Sequence, residues 1–486
     1  MFLGIDVGTS SVKAVLMDGS GQLVGQGSAP LTVERPQPLW SEQNPDAWWK
    51  ATVEAVRALP AKERQAVKGI GLSGQMHGAT LLDAADKPLR PAILWNDGRS
   101  EAECVELEKL EPRSREITGN LAMPGFTAPK LLWVKHHEPD IFSKVKTVLL
   151  PKDYVRLKLN GEKAGDMSDN AGTLWLDVAK RDWSDAMLKA TRLTRANMPK
   201  AVEGTAATGK LTAAVAKELG VPQVVVAGGG GDNAASAVGV GVVAPGQAFL
   251  SLGTSGVLFV VTDKFRPNPA KAAHAFCHCI PGVWHQMSVI LTAAAAIDWV
   301  TQLTGYNNVV ETVAAAEKRG LHKQTPIFLP YLSGERTPHN DAHARGVFFG
   351  LSAETTSADL VYAVLEGVAF AFADGIDVLK EAGSKIGDVT VVGGAARLPY
   401  WGPMLASALD VPLTYREGGE VGGAFGAARL GRLAATGEDP VKVCTAPKVS
   451  RVVQPVATLQ EQMAPRRALF VSLYKNLKAS FREYGR

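Results

Sequence analysis

The chain has 486 residues, about two to four times the length of a typical domain, so we expect two domains and exclude a small binding module. Hydrophobic residues make up 46% of the chain and charged residues 21%, which is ordinary for a folded soluble protein and excludes general disorder. The formal net charge of +4 is small for this length and gives no support to nucleic-acid binding.

A strand, a glycine-rich turn and a second strand are predicted over residues 3–17, and the same pattern returns over residues 248–261. Each turn contains Gly-Thr-Ser, whose backbone amides can face a phosphate. A hairpin repeated at this distance indicates two domains built on one plan. We therefore expect a boundary near residue 243, with domains at residues 1–243 and 244–486.

The N-terminal strand does not resemble a signal peptide, because Asp6 interrupts its apolar run and no basic segment precedes it. The most apolar later stretch, Ser288 to Ile297, is shorter than the roughly 20 residues of a membrane helix. The cysteines are too few for a disulfide framework. They are Cys104, Cys277, Cys279 and Cys444. We expect a cytoplasmic protein without a membrane partner.

The remaining pattern alternates helices and strands, which is typical of an α/β protein. The predicted helices are Pro45–Ala58, Thr127–His137, Leu360–Ala373 and Gly422–Ala434. The predicted strands are Gln223–Ala227 and Val389–Val392. The C-terminal stretch is compatible with helical or extended structure.

Two segments imitate functional motifs. Gly204–Lys210 fits the start of a phosphate-binding Walker A loop, but Leu211 replaces the hydroxyl residue that would bind magnesium, so an ordinary loop before a helix is favoured. His274 and the Cys277–Cys279 segment could suggest a metal site, yet neighbouring strand residues point to opposite faces. Buried core thiols are the favoured interpretation.

The first candidate site is Asp6, which lies beside the donor-rich turn of the first hairpin. Its carboxylate could hold Mg²⁺, directly or through water, and Lys13 could add positive charge near a transferring phosphoryl group. The second hairpin has Ser251 where the first has Asp6. This asymmetry favours a first hairpin that contacts the metal ion and a second that contacts only phosphate, although two plain turns remain an alternative.

The second candidate site is Asp232, which follows the four glycines Gly228–Gly231. Consecutive glycines cost backbone entropy, but they allow a ligand to approach the backbone closely. Asp232 could be a general base that accepts a proton from a hydroxyl. The alternative is that it is a helix N-cap and nothing more.

Three further segments could bind ligands. Ser73–Gly78 places polar side chains between glycines after a strand and suits a polyol, although His77 could be purely structural. Leu94–Arg99 is an aromatic and polar cluster of the kind that packs on a sugar. Val391–Ala396 enters Gly393 and Gly394, where a flat adenine could lie against exposed backbone, and a simple turn is equally compatible.

These motifs, in this order, resemble those of the FGGY carbohydrate kinases over nearly the whole chain. The segments that carry the resemblance are Gly4–Ser10, Gly74–Gly78, Leu94–Arg99, Gly125–Trp133, Gly230–Ala235, Ser251–Gly256, Leu329–Pro338 and Gly350–Glu366. The resemblance implies an α/β fold with two actin-like (ribonuclease H-like) domains flanking a catalytic cleft. The first domain would hold mainly the sugar and the second mainly ATP.

The resemblance also implies roles for individual residues. Asp232 would be the proton acceptor, and Asp6 would serve the Mg²⁺ and phosphate end. The substrate would be bound by Met76, His77, Asp232 and Asn233. ATP would be bound by Thr9, Ser10, Lys13, Gly253, Thr254, Gly393 and Gly394. The chain departs from the family pattern at Ala395 and Pro403, which leaves the adenine contacts open.

The activity that the resemblance implies is ATP-dependent phosphorylation of D-xylulose at its C5 hydroxyl, giving D-xylulose 5-phosphate and ADP. A carboxylate with the ordinary pKa of about 3.9 would suffice as the proton acceptor, because the hydroxyl becomes acidic only late in the transfer. One alternative is a kinase of the same family that acts on ribulose, glycerol or gluconate. Another is a non-catalytic actin-like nucleotide switch. Family resemblance further implies a homodimer.

Overall fold

The computed structural model describes residues 1–417 and 422–484 of the chain. Within these ranges the fold is α/β, with two seven-stranded mixed sheets as its main layers. No helix in the described ranges is both long and apolar enough to cross a bilayer.

The first sheet forms from residues of the first half of the chain. Its centre is the strand Phe2–Val7, which pairs antiparallel with Ser11–Met17 and parallel with Gly69–Gly74. In sheet order, its strands are Ala207–Lys210, Val225–Ala227, Gly69–Gly74, Phe2–Val7, Ser11–Met17 and Leu23–Pro30, with Gly230–Gly231 beside Gly69–Gly74. The repeated turn closes with a hydrogen bond from the Gly8 amide to the Ser11 carbonyl.

The second sheet repeats this arrangement around the strand Gln247–Leu252, which pairs antiparallel with Gly256–Thr262 and parallel with Asp388–Val392. In sheet order, its strands are His274–Cys277, Trp284–Ile290, Gly256–Thr262, Gln247–Leu252, Asp388–Val392, Leu413–Arg416 and Val449–Val453. The predicted duplicated hairpin is therefore confirmed, together with the predicted actin-like plan of two similar sheets.

Helices and short two-stranded ribbons complete the fold. The α-helices are Pro45–Arg57, Ala61–Arg64, Glu101–Leu110, Ser114–Thr118, Thr127–His137, Pro139–Phe142, Pro151–Asn160, Met167–Ala171, Asp185–Ala190, Ala213–Leu219, Asp232–Gly239, Ala294–Thr304, Val309–Arg319, Ser357–Glu381, Trp401–Leu409, Gly422–Thr436, Pro440–Val443 and Ala457–Tyr484. The 3-10 helices are Arg195–Asn197, Pro269–Lys271 and Gly394–Arg397. The ribbons pair Glu42–Gln43 with Ala92–Ile93, Thr80–Leu82 with Thr147–Leu149, Ala164–Asp166 with Lys200–Val202, Leu176–Asp177 with Asp182–Trp183, and Ile327–Leu329 with Val347–Phe349. All four predicted helices are present, and the C-terminal stretch is helical.

The helix Gly422–Thr436 lies in the second half of the chain but packs on the first sheet. A Cβ atom on Gly71 would lie 1.8 Å from the Ala427 carbonyl oxygen, so the helix and the strand touch through their backbones. On its other side, a Cβ atom on Gly426 would lie 1.7 Å from the Ala235 carbonyl oxygen. The unit around the first sheet thus includes residues beyond 243, and a single domain boundary near residue 243 remains a prediction.

Replacing Gly71 with Ala is expected to lower the free energy of unfolding by about 1–3 kcal/mol, because the added methyl group overpacks a rigid backbone contact. The control is Gly19→Ala, where no heavy atom lies within 4 Å of the added Cβ. Urea denaturation of both variants measures the difference. Equal midpoints for the two variants would contradict this account of the helix packing.

Candidate active site

Three parallel strands end at one edge of the first sheet and bring the predicted site residues together. Asp6 lies opposite Ser73 in the register, and Ser73 lies opposite Gly230 on the next short strand. The chain then continues from Ser73 into Gln75, Met76 and His77, and from Gly230 into Asp232. Ligands of α/β sheets bind outside such carboxyl ends. Residues that are far apart in the sequence therefore meet here.

Asp232 is the first residue of the helix Asp232–Gly239, as expected for a carboxylate at a helix start. Its Oδ1 atom accepts hydrogen bonds from the backbone amide of Asn233 at 2.7 Å and from the Asn233 side chain at 2.9 Å. The N-cap of this helix is Gly231, and no side chain caps it. Within the described residues, Oδ2 of Asp232 has no hydrogen-bond partner. It is thus available to a ligand.

The carboxylates of Asp6 and Asp232 influence each other. Burial, and next the charge of Asp6, raises the pKa of Asp232 to about 6. The ordinary pKa expected for Asp232 is therefore wrong: the side chain is a stronger base because it is partly withdrawn from water and lies near a like charge. Burial also raises the pKa of Asp6, against a 2.8 Å hydrogen bond from Ser73 and the charge of Lys13.

Met76 and His77 lie beside the start of the Asp232 helix. A Cβ atom on Gly231 would come within 2.9 Å of the Met76 sulfur, so this glycine allows the thioether to approach the backbone next to Asp232. His77 adopts a left-handed backbone conformation, with φ of 69°, which is uncommon for a residue with a side chain. Such strain is concentrated at functional sites.

The His77 ring has a defined hydrogen-bonding role. Its Nδ1 lies 2.6 Å from the Gly172 carbonyl oxygen, which can only accept, so Nδ1 carries the hydrogen. Burial lowers the pKa of His77 to about 3, and the ring is neutral at physiological pH. Nε2 is then left as the acceptor, a suitable partner for a sugar hydroxyl.

The first turn is tied to the same side of the site. The Thr9 hydroxyl donates to the Gln75 side chain at 3.2 Å and accepts from the Trp95 indole at 3.0 Å. Ser10 is exposed. The hydroxyl of Thr9 is therefore engaged by protein side chains, and its predicted contact with ATP, like that of Ser10, remains a prediction.

A cleft of ≈ 540 Å³ opens on the other side of the Asp232 helix start. Four of the predicted residues line it: Lys13, Asn233, Gly393 and Gly394. It is also lined by Ser236, Val240, Phe249, Ser251, Val392, Arg397 and Gly422. An adjoining cleft of ≈ 630 Å³ is lined by Asp6 and shares Lys13 and Gly422 with the first. Elements of both sheets thus enclose a space large enough for a nucleotide.

The second turn is bonded to a helix. The carbonyl groups of Gly253 and Thr254 accept hydrogen bonds from the amides of Ala294 and Ala293, each at 2.9 Å. In the described part of the chain, neither Gly253 nor Thr254 is among the residues that line the ≈ 540 Å³ cleft. Their predicted ATP contacts remain predictions.

A fully buried charge cluster lies beneath the glycine run, and sequence reasoning missed it. Lys152 contacts three carboxylates at 2.8–2.9 Å, those of Asp153, Asp166 and Asp169. Burial alone would lower the pKa of Lys152, but the carboxylates outweigh it and raise that pKa. Burial raises the pKa of Asp169 well above its ordinary value. No spacing rule signals this cluster, because the three carboxylates meet only through the fold.

The cluster holds the glycine run in place. Arg156, which pairs with Asp153 at 3.5 Å, donates to the carbonyl groups of Ala227 at 2.6 Å and Gly228 at 2.5 Å. Ser168 links the far end of the run, because its hydroxyl donates to Asp166 at 2.5 Å and accepts from the Gly231 amide at 3.1 Å. The backbone that leads to Asp232 is therefore fixed by charged groups.

The predicted sugar cluster at Leu94–Arg99 is largely engaged within the protein. Asp97 accepts from the Ser41 amide and from Arg99, whose guanidinium lies 3.6 Å from the ring centroid of Trp40. Trp95 is 44% exposed and remains available to a ligand.

The two segments that only resemble a metal site and a Walker A loop have structural roles. Cys277 and Cys279 are buried thiols, as predicted, and Cys279 packs against Gly230. The segment Gly204–Lys210 is not simply a loop, because Ala207–Lys210 forms the edge strand of the first sheet. The helix after it begins at Ala213.

Comparison with known proteins agrees with this geometry. The N-terminal domain model of the FGGY family of carbohydrate kinases matches residues 1–239, and the C-terminal domain model matches residues 248–435. The chain is 53% identical to the xylulose kinase of Escherichia coli (strain K12) over 479 residues, covering 98% of this chain and 99% of that protein.

Solved structures are similar over the same extent. A xyloylose kinase from Brucella ovis has a TM-score of 0.94 at 51% identity, covering 98% of this chain and 99% of that one. A xylulose kinase from Rhodospirillum rubrum has a TM-score of 0.92 at 26% identity, covering 99% of both chains.

Proposed function

The chain belongs to the FGGY family of carbohydrate kinases, and from this we propose that it transfers the γ-phosphoryl group of ATP to the C5 hydroxyl of D-xylulose. The products are D-xylulose 5-phosphate and ADP. The choice of sugar is supported by the identity with the xylulose kinase of Escherichia coli along nearly the whole of both chains.

The observation that carries the proposal is the position of Asp232 between two differently built spaces. Its preceding neighbour, Gly231, packs on Met76 beside His77. Its following neighbour, Asn233, lines the cleft that also contains Lys13 and the glycine pair Gly393 and Gly394. A carboxylate between a polyol site and a nucleotide-sized cleft is what hydroxyl phosphorylation requires.

In the proposed reaction, Oδ2 of Asp232 accepts the hydrogen of the C5 hydroxyl, while Met76, His77 and Asn233 hold the sugar. The hydroxyl oxygen forms a bond to the γ-phosphorus, and the bond from that phosphorus to the β,γ-bridging oxygen breaks, which leaves ADP. The proton moves to Asp232 as the new bond forms. The raised pKa of Asp232 makes it a better acceptor than an ordinary carboxylate.

The nucleotide would be bound by Lys13, the two turns with Thr9, Ser10, Gly253 and Thr254, and the glycine pair Gly393 and Gly394. The residues present fit a divalent cation, since the charge of Asp6 raises the pKa of Asp232 and a cation would relieve this repulsion between the two carboxylates. Asp6 would hold Mg²⁺, which supplies charge neutralisation to the phosphate oxygens when bound. Exclusion of water from the cleft would prevent loss of ATP to hydrolysis.

The test is ADP release with Mg-ATP and a panel of D-xylulose, D-ribulose, L-ribulose, L-xylulose, glycerol and gluconate. We expect the highest kcat/KM with D-xylulose. A higher kcat/KM for another sugar would show that the proposed substrate is wrong, although the chain would still be a sugar kinase. ATP hydrolysis that no sugar stimulates would contradict the kinase proposal and support a nucleotide switch.

The pH dependence of the reaction follows from the Asp232 carboxylate. The proton acceptor must be ionised, and its pKa is about 6, so kcat/KM for the sugar should fall by about tenfold per pH unit below pH 6 and level off above it. Asp6→Asn removes the like charge and should move this acidic limb to lower pH. Measurement of ADP from pH 4.5 to 8 tests both expectations. A flat wild-type profile down to about pH 4.5 would contradict them.

A cytoplasmic location and a homodimer complete the proposal. Light scattering of the purified chain measures the assembly, and a monomer at micromolar concentration would remove the dimer from it.

A further inference from the structure

Arg336 is a cation at a fixed place on a loop from the second half of the chain. The backbone on both sides of it is anchored. On one side, Oε1 of the buried Glu335 accepts hydrogen bonds from the amide of Leu291 at 2.9 Å and from the amide of Arg336 at 2.8 Å. The Thr337 hydroxyl donates to the Ala272 carbonyl at 2.9 Å and accepts from the Val289 amide at 3.1 Å. The guanidinium therefore projects from a rigid base.

The Arg336 guanidinium lacks the partner that such a group ordinarily has. Within residues 1–417 and 422–484, no carboxylate oxygen lies within the 4.0 Å of an ion pair with it. In those same ranges, its one side-chain hydrogen bond is from Nη1 to Nε2 of His274, at 3.5 Å. A half-buried guanidinium has several N–H donors, and leaving them unsatisfied costs free energy.

The bond to His274 orients Arg336. Nδ1 of His274 lies 2.9 Å from Oδ1 of Asn120, and the side-chain nitrogen of Asn120 donates to the carbonyls of Thr118 and Ala275. Oδ1 is therefore the acceptor, Nδ1 of His274 carries the hydrogen, and Nε2 is free to accept from Arg336. A neutral imidazole aims the guanidinium without neutralising its charge.

His274 and Phe126 connect Arg336 with the His77 side of the site. The Phe126 ring lies 4.8 Å from the His77 ring and 5.6 Å from the His274 ring, by ring centroids, so these side chains form one cluster. After burial and Lys130, the positive charge of Arg336 contributes to the lowered pKa of His77, which agrees with its closeness to that ring.

We infer that Arg336 binds the sugar, donating hydrogen bonds to substrate oxygen atoms beside His77. This inference rests on the proposed function. A neutral polyol or ketose offers hydroxyl and carbonyl oxygens as acceptors, and the free guanidinium hydrogens match them. The sugar site is then shared between the two halves of the chain. Sugar selection depends on both halves, rather than on the first sheet alone.

The experiment compares Arg336→Gln and Arg336→Lys with the wild type and with the control Arg345→Gln. Arg345 lies on the same loop, but among the residues that the structure describes its guanidinium donates only to the carbonyls of Ala342 and Ala344. For Arg336→Gln we expect KM for D-xylulose to rise about 10- to 100-fold, since hydrogen bonds to a charged group are lost. KM for ATP should stay within about threefold, and Arg345→Gln should change neither value beyond that range.

Arg336→Lys keeps the charge but not the planar fork, and should give an intermediate rise in KM for the sugar. An unchanged KM for the sugar in Arg336→Gln, or equal increases of both KM values, would overturn the inference. If Arg336→Gln is insoluble, Arg336→Lys decides by the same criterion. The wild type is assayed beside the variants with the full sugar panel. A wrong substrate would then be seen in the wild type itself, whereas a wrong role for Arg336 would be seen only in the variants.

Discussion

Replacing Asp232 with Asn is expected to lower kcat for sugar phosphorylation by about 100- to 10,000-fold, the usual contribution of a positioned general base. The amide has nearly the same size as the carboxylate, and its oxygen can still accept from the Asn233 amide, which now bonds to Oδ1. What is lost is the proton acceptor at Oδ2. Sugar affinity should therefore change little, because Met76 and His77 are untouched.

The measurement pairs ADP release with calorimetric titration of D-xylulose into the variant. The control is Asp298→Asn, which makes the same chemical change at an exposed position on the helix Ala294–Thr304. We expect the control to keep wild-type kcat. Near-normal turnover in Asp232→Asn would contradict the role of Asp232 as the proton acceptor. If the variant also bound the sugar more weakly, Asp232 would be a sugar-binding residue instead.

Local patterns predicted much of this fold. The two hairpins at residues 2–17 and 247–262 are recognisable because a strand, a tight turn and a strand leave their pattern within a short window. The helix Thr127–His137 has the predicted bounds for the same reason. The strand-end positions of Asp6 and Ser73–Gly78 then followed from where the apolar runs stop.

Long-range packing could not be read in the same way. The sequence of Gly422–Thr436 does not indicate that this helix packs on the first sheet rather than the second, because its small residues would allow close packing on either sheet. The raised pKa of Asp232 was missed because it depends first on burial and next on Asp6, which comes near only through three neighbouring strands. Arg336 lay in a segment that carried the family resemblance, but its approach to His274 is a property of the fold.

The buried cluster around Lys152 shows how such long-range contacts support the site. Lys152, Asp153, Arg156, Asp166 and Asp169 are all fully buried. Two cations face three carboxyl groups, and burial raises the pKa of Asp169 well above its ordinary value. The pairing of opposite charges makes the burial of the cluster tolerable. Removing one cation would disturb this balance and also the glycine run above it.

Replacing Lys152 with Met is accordingly expected to lower the free energy of unfolding by about 3–5 kcal/mol, the cost of leaving buried charge without its partner. Urea denaturation followed by tryptophan fluorescence measures it. The control is Lys217→Met, where the same change is made at an exposed lysine of the helix Ala213–Leu219, and it should stay within about 0.5 kcal/mol of the wild type.

The double variant Lys152→Met with Asp169→Asn separates charge balance from simple packing. If the loss in Lys152→Met comes from uncompensated carboxylates, removing the Asp169 carboxyl group should restore part of the stability, and the two changes should not add. If the loss comes from the missing ammonium contacts alone, the double variant should be at least as unstable as Lys152→Met. Additive effects would therefore contradict the charge-balance account, while recovery of about 1 kcal/mol or more would support it.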